Sequence, residues 1–366
     1  MTLPLLAAPA YREIKPAASG TPRVSVLVPT YNTRAHIRKA VISLLNQTLH
    51  ELEVLVVDDA STDGSTEALV DIGDPRLRVV RLERNVGPSG ARNAGIALSR
   101  GDCVALLDAD DVALPHRMEA QLRVLDARPK VGLVAGLVNR IDVNDKVVSR
   151  AGDEWLPSDS ALAPLMLFLN PINVQYMLRR SAIPAHGFRP LYAEDYAMGI
   201  DVSETHEVVA VREALGNYRI SPGGMMSSRL DQVAVGALSM QRRVHARLGM
   251  PTSDYDEALM RSIMFIGAAA AAGLTLDWLR CVRRLLDQVR EVNQSTRVYR
   301  AEALAEALAF VWEVALLEAT RRGRVPLGWR SLGPLVRGLS IRGTALRART
   351  IAHGLVNLLP RQAESQ

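Results

Sequence analysis

The sequence has few cysteines, aromatic residues and lysines. Its two cysteines, Cys103 and Cys281, lie far apart in the chain, so we expect buried thiols rather than a disulfide or a metal centre. Aromatic residues make up 4% of the chain, and the apolar residues are mostly Ala, Leu and Val, which suit helices and buried parallel strands. Only four of the 44 basic residues are lysines. This composition favours an α/β or α-rich class in a reducing compartment.

The sequence also lacks a long hydrophobic run. The longest weakly polar stretch, residues 264–274, is about half of the ~20 residues that a membrane-spanning helix needs. The apolar N-terminus has no basic region before it, so we interpret residues 1–21 as a flexible leader and not as a signal peptide. The protein is therefore expected in the cytoplasm, with peripheral association at the inner face of the cell membrane as a further option.

Charge is unevenly distributed along the chain. The net charge is +5, and no acidic residue lies between Arg321 and Thr350, a stretch with eight arginines. Basic amphipathic sequence of this kind suits an anionic membrane surface, but the same helices could equally pack on the rest of the protein with their arginines in solvent. Nucleic-acid binding is disfavoured, because Trp329 is the only aromatic residue interleaved with these arginines.

The first part of the chain alternates between apolar strands and helical segments. Apolar runs at residues 24–28, 54–57, 77–82 and 104–107 are each separated by helical spacing of apolar residues. Near-continuous apolar strands predict a doubly wound, mostly parallel sheet flanked by helices, and the later part of the chain predicts a C-terminal α-helical region. In such sheets ligands bind beyond the carboxyl ends of the strands.

An acidic cluster follows the fourth of these strands. Asp108, Asp110 and Asp111 repel one another unless a cation neutralises them, and oxygen-only ligation favours Mg²⁺ or Mn²⁺. The alternative is an acidic loop that caps the helix beginning near Pro115.

Four segments in this order resemble family 2 glycosyltransferases, which have the GT-A fold: VSVLVPTYN from Val24, LVVDDASTDGS from Leu55, NVGPSGARNAG from Asn85 and LLDADD from Leu106. The resemblance covers about residues 22 to 225. It implies an enzyme that transfers a sugar from a nucleotide-diphosphate donor, with a UDP-sugar favoured, to a hydroxyl of a glycan, a lipid-linked acceptor or a small molecule.

The same resemblance assigns the donor-binding residues. Pro29, Thr30 and Tyr31 would line the nucleoside pocket, Asp59 would bind the base or ribose, and Gly87 would let its loop approach the donor. The full donor-binding set is Pro29, Thr30, Tyr31, Asn32, Asp59, Gly87, Arg92, Asp108 and Asp110. From the residues alone, Asp59 could be a turn former and Arg92 part of a solvated helix face.

The resemblance also assigns the metal and the catalytic base. Asp110 and Asp111 would hold Mn²⁺ or Mg²⁺, and Asp195 would take the acceptor proton, which predicts inversion at the sugar carbon. Glu194 and Arg219 would contact the acceptor or support the site, although Glu194 and Asp195 could be only a charge pair at a helix start. Ser221 departs from the family, which frequently has a His at that place.

These observations predict four regions. The leader is followed by a GT-A catalytic domain over residues 22–228, with a nucleotide-sugar half at 22–128 and an acceptor half at 129–228. A helical domain at 229–320 and a basic amphipathic tail at 321–366 complete the chain. Two alternative functions are a sugar-phosphate nucleotidyltransferase, which should carry a Gly-rich loop after its first strand, and an inactive polysaccharide-binding scaffold.

Overall fold

The computed structural model describes residues 7–16, 20–151, 156–172, 175–221, 228–251, 253, 255–265 and 274–321. The chain divides into two compact units. The first unit comprises residues 1–151 and 172–236, and the second comprises residues 152–171 and 237–366. The predicted basic tail lies outside the described residues from residue 322 onward. Within the described part of the chain, no helix combines the length and the apolar character that crossing a bilayer requires.

A ten-stranded mixed sheet forms the centre of the first unit. The strand order is β1-β4-β3-β2-β5-β9-β7-β10-β6, and β8 pairs with β7. The strands are β1 Tyr11–Lys15, β2 Val24–Thr30, β3 Leu52–Asp58, β4 Leu77–Leu82, β5 Cys103–Leu106, β6 Val112–Ala113, β7 Val131–Ile141, β8 Val147–Ser149, β9 Met177–Arg179 and β10 Glu207–Arg219.

The helices alternate with these strands in the first unit and predominate in the second. The described helices are α1 Ile37–Leu45, α2 Gly87–Leu98, α3 Arg117–Ala127, α4 Asp159–Leu165, α5 Glu194–Ser203, α6 Leu230–Leu248, α7 Glu257–Met264, α8 Leu276–Thr296 and α9 Ala301–Arg321.

The four neighbouring strands β4, β3, β2 and β5 are all parallel. Their side chains are almost entirely apolar and buried, because helices cover both faces of a parallel sheet. Helix α2 packs on β2 and β3, where Gly95 lies so close to Leu27 that an added Cβ would be 3.0 Å from its Cδ1. The prediction of a doubly wound, mostly parallel sheet flanked by helices and followed by a helical region is confirmed.

The edge strand β1 corrects the interpretation of the N-terminus. Residues 11–15 pair antiparallel with β4, and the carboxylate of Glu13 accepts a hydrogen bond of 2.6 Å from Arg78. The expectation of a flexible leader over residues 1–21 is therefore wrong for this segment. The five residues of β1 show no clear alternation of polar and apolar side chains, so the sequence gives little indication of a strand there. The segment becomes a strand because it pairs with β4.

The second unit contains α4, α7, α8 and α9, together with the C-terminal half of α6. Helix α8 begins after Thr275, whose hydroxyl accepts a hydrogen bond of 3.2 Å from the Trp278 amide, and its apolar face packs against α9. Helix α9 also packs against α4. The side chain of His245 on α6 is buried and donates from Nε2 to the carbonyl of Leu167 at 2.9 Å. This unit is thus built from amphipathic helices with apolar contact faces.

Candidate functional site

The carboxyl ends of β2, β3 and β5 meet at one edge of the sheet. Leu27 on β2 pairs in register with Leu55 on β3 and with Leu106 on β5. Asp59 directly follows β3, and Asp110 lies in the turn that follows β5, so both belong to loops at this end of the sheet. Strands β3 and β5 are separated only by β2, and two strand spacings correspond to about 10 Å.

The loop after β2 carries the residues predicted to form the nucleoside pocket. Pro29 is half-buried and Thr30 is buried, and the Thr30 hydroxyl is hydrogen-bonded to that of Thr33. Asn32 has a left-handed φ of 54°, and its side-chain oxygen accepts a hydrogen bond of 2.9 Å from the Thr62 amide. This anchored turn leaves the Tyr31 ring 51% exposed at the strand end, where it can stack on a base.

Asp59 connects the second strand end to the loop before α2. Its two carboxylate oxygens accept hydrogen bonds from the backbone amides of Val86 and Gly87, at 2.7 and 2.9 Å. Burial raises the pKa of Asp59, and the two amide hydrogen bonds act in the opposite direction. The carboxylate therefore holds the Gly87 loop in place. Gly87 has φ +79°, a conformation that favours glycine.

Arg92 on α2 links the acidic cluster to the acceptor-side helix. Its guanidinium, 5% exposed, donates to Asp108 at 2.9 Å and to Glu194 at 2.5 Å, and it lies 5.8 Å from the ring centroid of Phe188. Burial alone would lower the pKa of Arg92, but the two carboxylates raise it above its ordinary value. A permanently charged Arg92 thus bridges the two halves of the site and does not belong to a solvated helix face.

Asp110 and Asp111 occupy different environments. The carboxylate of Asp111 is buried, and its oxygens accept hydrogen bonds from the Arg219 amide at 2.8 Å and from Gln175 Nε2 at 2.9 Å. Asp110 is partly exposed, and burial together with the nearby charge of Asp108 raises its pKa to about 6. Asp111 therefore anchors the loop, whereas Asp110 is the carboxylate better placed to face a ligand.

Metal binding stays a prediction. Among the residues that the structure describes, no group of three or more His, Cys, Asp or Glu side chains is arranged to hold a metal ion. The environment of Asp110 nevertheless fits a divalent cation. Burial and mutual repulsion raise the pKa values of Asp110 and Asp111, and a bound cation would stabilise the charged form of both carboxylates.

Arg219 at the end of β10 supports the acidic loop. Its side chain is 1% exposed and donates to the carbonyl of Asp110 at 2.8 Å, to the carbonyl of Asp142 at 2.9 Å and to the carboxylate of Asp145 at 2.6 Å. Asp145 in turn pairs with Lys39 on α1 at 2.6 Å. Arg219 thus joins the acidic loop to the turn between β7 and β8, which is a supporting position.

The predicted base Asp195 and its neighbour Glu194, predicted to contact the acceptor or support the site, lie in the first turn of α5. Glu194 is buried and its carboxylate binds Arg92, whereas Asp195 is partly exposed. The structure thus separates the two acids: Glu194 anchors the helix start to α2, and Asp195 faces a more open environment. Since Arg92 also binds Asp108, the start of α5 lies next to the acidic loop.

A layer of buried polar side chains beneath the acidic loop was missed by sequence reasoning. Arg117 and Gln121 on α3 are buried, and burial lowers the pKa of Arg117 to about 9. Gln121 Nε2 donates to the carbonyls of Val134 and Gln175, at 2.9 and 3.0 Å. The available signal was the spacing of Arg117 and Gln121, four residues apart, on the same helix face as apolar Leu125.

Comparison with known proteins agrees with this geometry. Residues 25–177 match the glycosyl transferase family 2 model. The succinoglycan biosynthesis protein ExoO of Rhizobium meliloti is 43% identical over 112 residues, which cover 31% of this chain and 32% of that protein. A β-1,3-glucosyltransferase of Escherichia coli, WfgD, is 24% identical over 212 residues, covering 57% of this chain and 82% of that protein. The chain therefore spans about a third of the first relative's length.

Two solved structures share the fold. Staphylococcus aureus TarS in complex with UDP-GlcNAc superimposes with a TM-score of 0.52 at 19% identity, covering 83% of this chain and 93% of that one. The mannosyltransferase PcManGT from Pyrobaculum calidifontis, in complex with GDP-Man and Mn²⁺, superimposes with a TM-score of 0.50 at 19% identity, and the match covers 95% of this chain and 92% of that one. The motif order, the sheet and these similarities together show that the chain contains a glycosyltransferase family 2 domain, matched over residues 25–177, with a GT-A fold.

Proposed function

We propose that the protein is an inverting, metal-dependent glycosyltransferase that moves a sugar from a nucleotide-diphosphate sugar, with a UDP-sugar favoured, to an acceptor hydroxyl. One observation carries this proposal: buried Arg92 binds Asp108 on the donor side and Glu194 on the acceptor side. The guanidinium of Arg92 would therefore hold the donor side and the acceptor side of the reaction centre together. Asp195 directly follows Glu194 in the chain.

On the donor side, the exposed Tyr31 ring would stack on the base, and the Gly87 loop held by Asp59 would lie along the diphosphate. Asp110, with Asp108 nearby, would hold Mn²⁺ or Mg²⁺, and such an ion neutralises charge on the diphosphate leaving group. PcManGT was solved with Mn²⁺, which supports a divalent ion in this fold. Asp111 would support Asp110 from behind, because its oxygens already accept two protein hydrogen bonds.

On the acceptor side, Asp195 would act as the general base. The acceptor O–H bond breaks and its proton passes to the Asp195 carboxylate, while the acceptor oxygen bonds to the anomeric carbon. The bond from that carbon to the donor phosphate oxygen breaks, and its electron pair leaves with the diphosphate. A single displacement of this kind inverts the anomeric configuration.

The acceptor is proposed to be a surface glycan or a lipid-linked precursor of one. ExoO is named for succinoglycan biosynthesis, and TuaG of Bacillus subtilis, 40% identical over 109 residues, is named as a putative teichuronic acid glycosyltransferase. WfgD is named for a diphosphoundecaprenol-linked acceptor. Action at the inner face of the cell membrane from the cytoplasm would suit such acceptors.

A two-step experiment tests the proposal. Thermal shift with UDP, GDP, CDP and TDP in Mn²⁺ identifies the nucleotide, because a ligand at a hundred times its dissociation constant stabilises by about 2.7 kcal/mol. Donor turnover is then measured with Mn²⁺ and with EDTA for wild type, Asp195→Asn and Asp277→Asn. Asp277 is a matched control because it lies in the first turn of α8, remote in sequence from the catalytic motifs.

We expect turnover that needs the metal, a loss of at least about 100-fold in Asp195→Asn and normal rates in Asp277→Asn. Near-normal turnover by a folded Asp195→Asn protein would reject the assignment of the base. Pyrophosphate release from a nucleoside triphosphate would indicate a nucleotidyltransferase, and nucleotide binding without any turnover would indicate an inactive scaffold.

A further inference from the structure

Tyr176 carries a buried hydroxyl that the fold does not use. The side chain is 0% exposed, and its hydroxyl has no hydrogen-bond partner among the described residues. Buried hydroxyl groups in proteins are nearly always hydrogen-bonded, because leaving one unpaired costs about 1–3 kcal/mol. The Tyr176 hydroxyl can therefore donate a hydrogen bond to a group that moves beside it when substrates bind.

The backbone of Tyr176 lies beside the strand that leads into the acidic loop. Its carbonyl accepts a hydrogen bond of 3.1 Å from the Leu106 amide, so Tyr176 lies beside the end of β5, two residues before Asp108. Burial raises the pKa of Tyr176, and the charge of Asp195 is the next contribution in the same direction. The phenol thus stays neutral and remains a hydrogen-bond donor in the neighbourhood of Asp195.

The surrounding charges indicate which group this donor serves. The guanidinium of Arg92 already donates to the carboxylates of Asp108 and Glu194. We propose that Tyr176 is a positioning residue whose hydroxyl donates to the Asp195 carboxylate when the acceptor is bound. This inference rests on the proposed function of Asp195 and goes beyond it, since no motif of the sequence includes Tyr176. Catalytic hydrogen bonds are often formed only in the loaded complex.

The hydrogen bond would orient the base. One Asp195 oxygen accepts from Tyr176, and the other is then directed at the acceptor hydroxyl, whose proton it receives as the new glycosidic bond forms. Tyr176 keeps its own proton throughout, so the bonds that break and form are those of the proposed displacement.

The test is Tyr176→Phe, with Tyr255→Phe as the control. Tyr255 lies in the second unit, and its hydroxyl donates to the Leu238 carbonyl at 3.2 Å, so this variant loses a satisfied hydroxyl at a residue that belongs to none of the catalytic motifs in sequence. For Tyr176→Phe we expect kcat to fall about tenfold or more while KM for the donor stays within about twofold. The acidic limb of the pH–rate profile should move to higher pH, because a donor to a carboxylate favours its charged form. Tyr255→Phe should retain the wild-type profile.

A second measurement does not depend on activity. Removing an unpaired buried hydroxyl should leave the melting temperature unchanged or raise it by about 2–4 °C, whereas removing a hydroxyl with a structural partner should lower it. A lower melting temperature, or an unchanged kcat and pH profile in an active enzyme, would overturn the inference. If the wild type transfers no sugar while Tyr176→Phe melts as expected, the proposed function fails and the unpaired hydroxyl stands without a catalytic role, which also rejects the positioning of Asp195.

Discussion

The guanidinium of Arg92 donates to the carboxylate of Asp108 at 2.9 Å and to that of Glu194 at 2.5 Å, across 102 positions of sequence between Arg92 and Glu194. The side chains of Arg92 and Glu194 are both buried, at 5% exposure, and that of Asp108 is partly exposed. The stability of the fold and the alignment of the two halves of the site therefore depend on the same ion-pair cluster.

Replacing Arg92 with methionine should be strongly destabilising. Methionine keeps much of the volume but leaves Glu194 buried without its partner, and such a loss costs about 3–5 kcal/mol. Urea denaturation measures this change. Arg123→Met is the control, because Arg123 is 73% exposed and water screens its ion pair with Glu119. Equal midpoints for the two variants would show that the Arg92 cluster contributes little to stability.

Asp110→Asn and Asp111→Asn should have opposite signatures. Asp110→Asn removes repulsion with Asp108, so stability without metal should hold or rise, while the extra melting-temperature gain from UDP with Mn²⁺ should disappear. Asp111→Asn places an amide against Gln175 Nε2 or the Arg219 amide, which both donate, so it should lose about 1–3 kcal/mol of stability. A normal Mn²⁺ response in Asp110→Asn would contradict its role as the metal ligand.

Gly87 can be tested with Gly73 as a matched partner. No atom of the described residues lies within 4 Å of a Cβ built at either position, but only Gly87 has a positive φ, of 79°. Gly87→Ala should therefore cost about 1–2 kcal/mol of backbone strain, while Gly73→Ala should be neutral or slightly stabilising. Chemical denaturation compares them. If the donor lies along this loop, Gly87→Ala should also raise KM for the donor, whereas an unchanged KM would place the donor elsewhere.

His245 should make the protein less stable in mild acid. Burial lowers the pKa of His245 to about 4 from its ordinary 6.5, and its hydrogen bond to the Leu167 carbonyl acts in the opposite direction. Between these two values the unfolded chain binds the proton more tightly, so stability is complete above pH 6.5 and falls as the pH drops toward 4, by about 3 kcal/mol in total.

The His245 effect is isolated by comparing variants. Denaturation midpoints at pH 7.5 and pH 5.0 should differ less for His245→Gln than for the wild type, since glutamine does not titrate but can still donate to Leu167. The exposed His50 provides the control, and His50→Gln should follow the wild type. An unchanged pH dependence in His245→Gln would show that other groups cause the acid sensitivity.

Part of the site could be predicted because strand ends have a fixed geometry. Asp59 and Asp110 each follow a buried parallel strand, and all parallel strands in one sheet end at the same edge, so their convergence follows from local sequence. The positions of Thr30 and Tyr31 follow in the same way from β2. Gly87 was also identifiable, since a glycine at the start of a helix marks a turn that favours this residue.

Other features could not be read from the chain. The assignment of Asp110 and Asp111 as equal metal ligands treated two adjacent carboxylates alike, whereas the donors that distinguish them come from Gln175 and Arg219, 64 and 108 positions away. The buried Arg117 and the unpaired hydroxyl of Tyr176 depend on which elements cover them. The formation of a short edge strand such as β1 likewise depends on the neighbouring strand, here β4, with which it pairs.

The sequence by itself determined the alternation of strands and helices over residues 24–107, the resemblance to the family and the edge of the sheet at which polar side chains collect. These properties depend on apolar periodicity and on turn residues, which act over a few positions of chain. Only the tertiary structure decided that Asp111 is buried and hydrogen-bonded by the protein while Asp110 is partly exposed, and that Arg92 pairs with both Asp108 and Glu194. Those properties depend on burial and on partners distant in sequence, because the energy of a charge is set by everything that surrounds it.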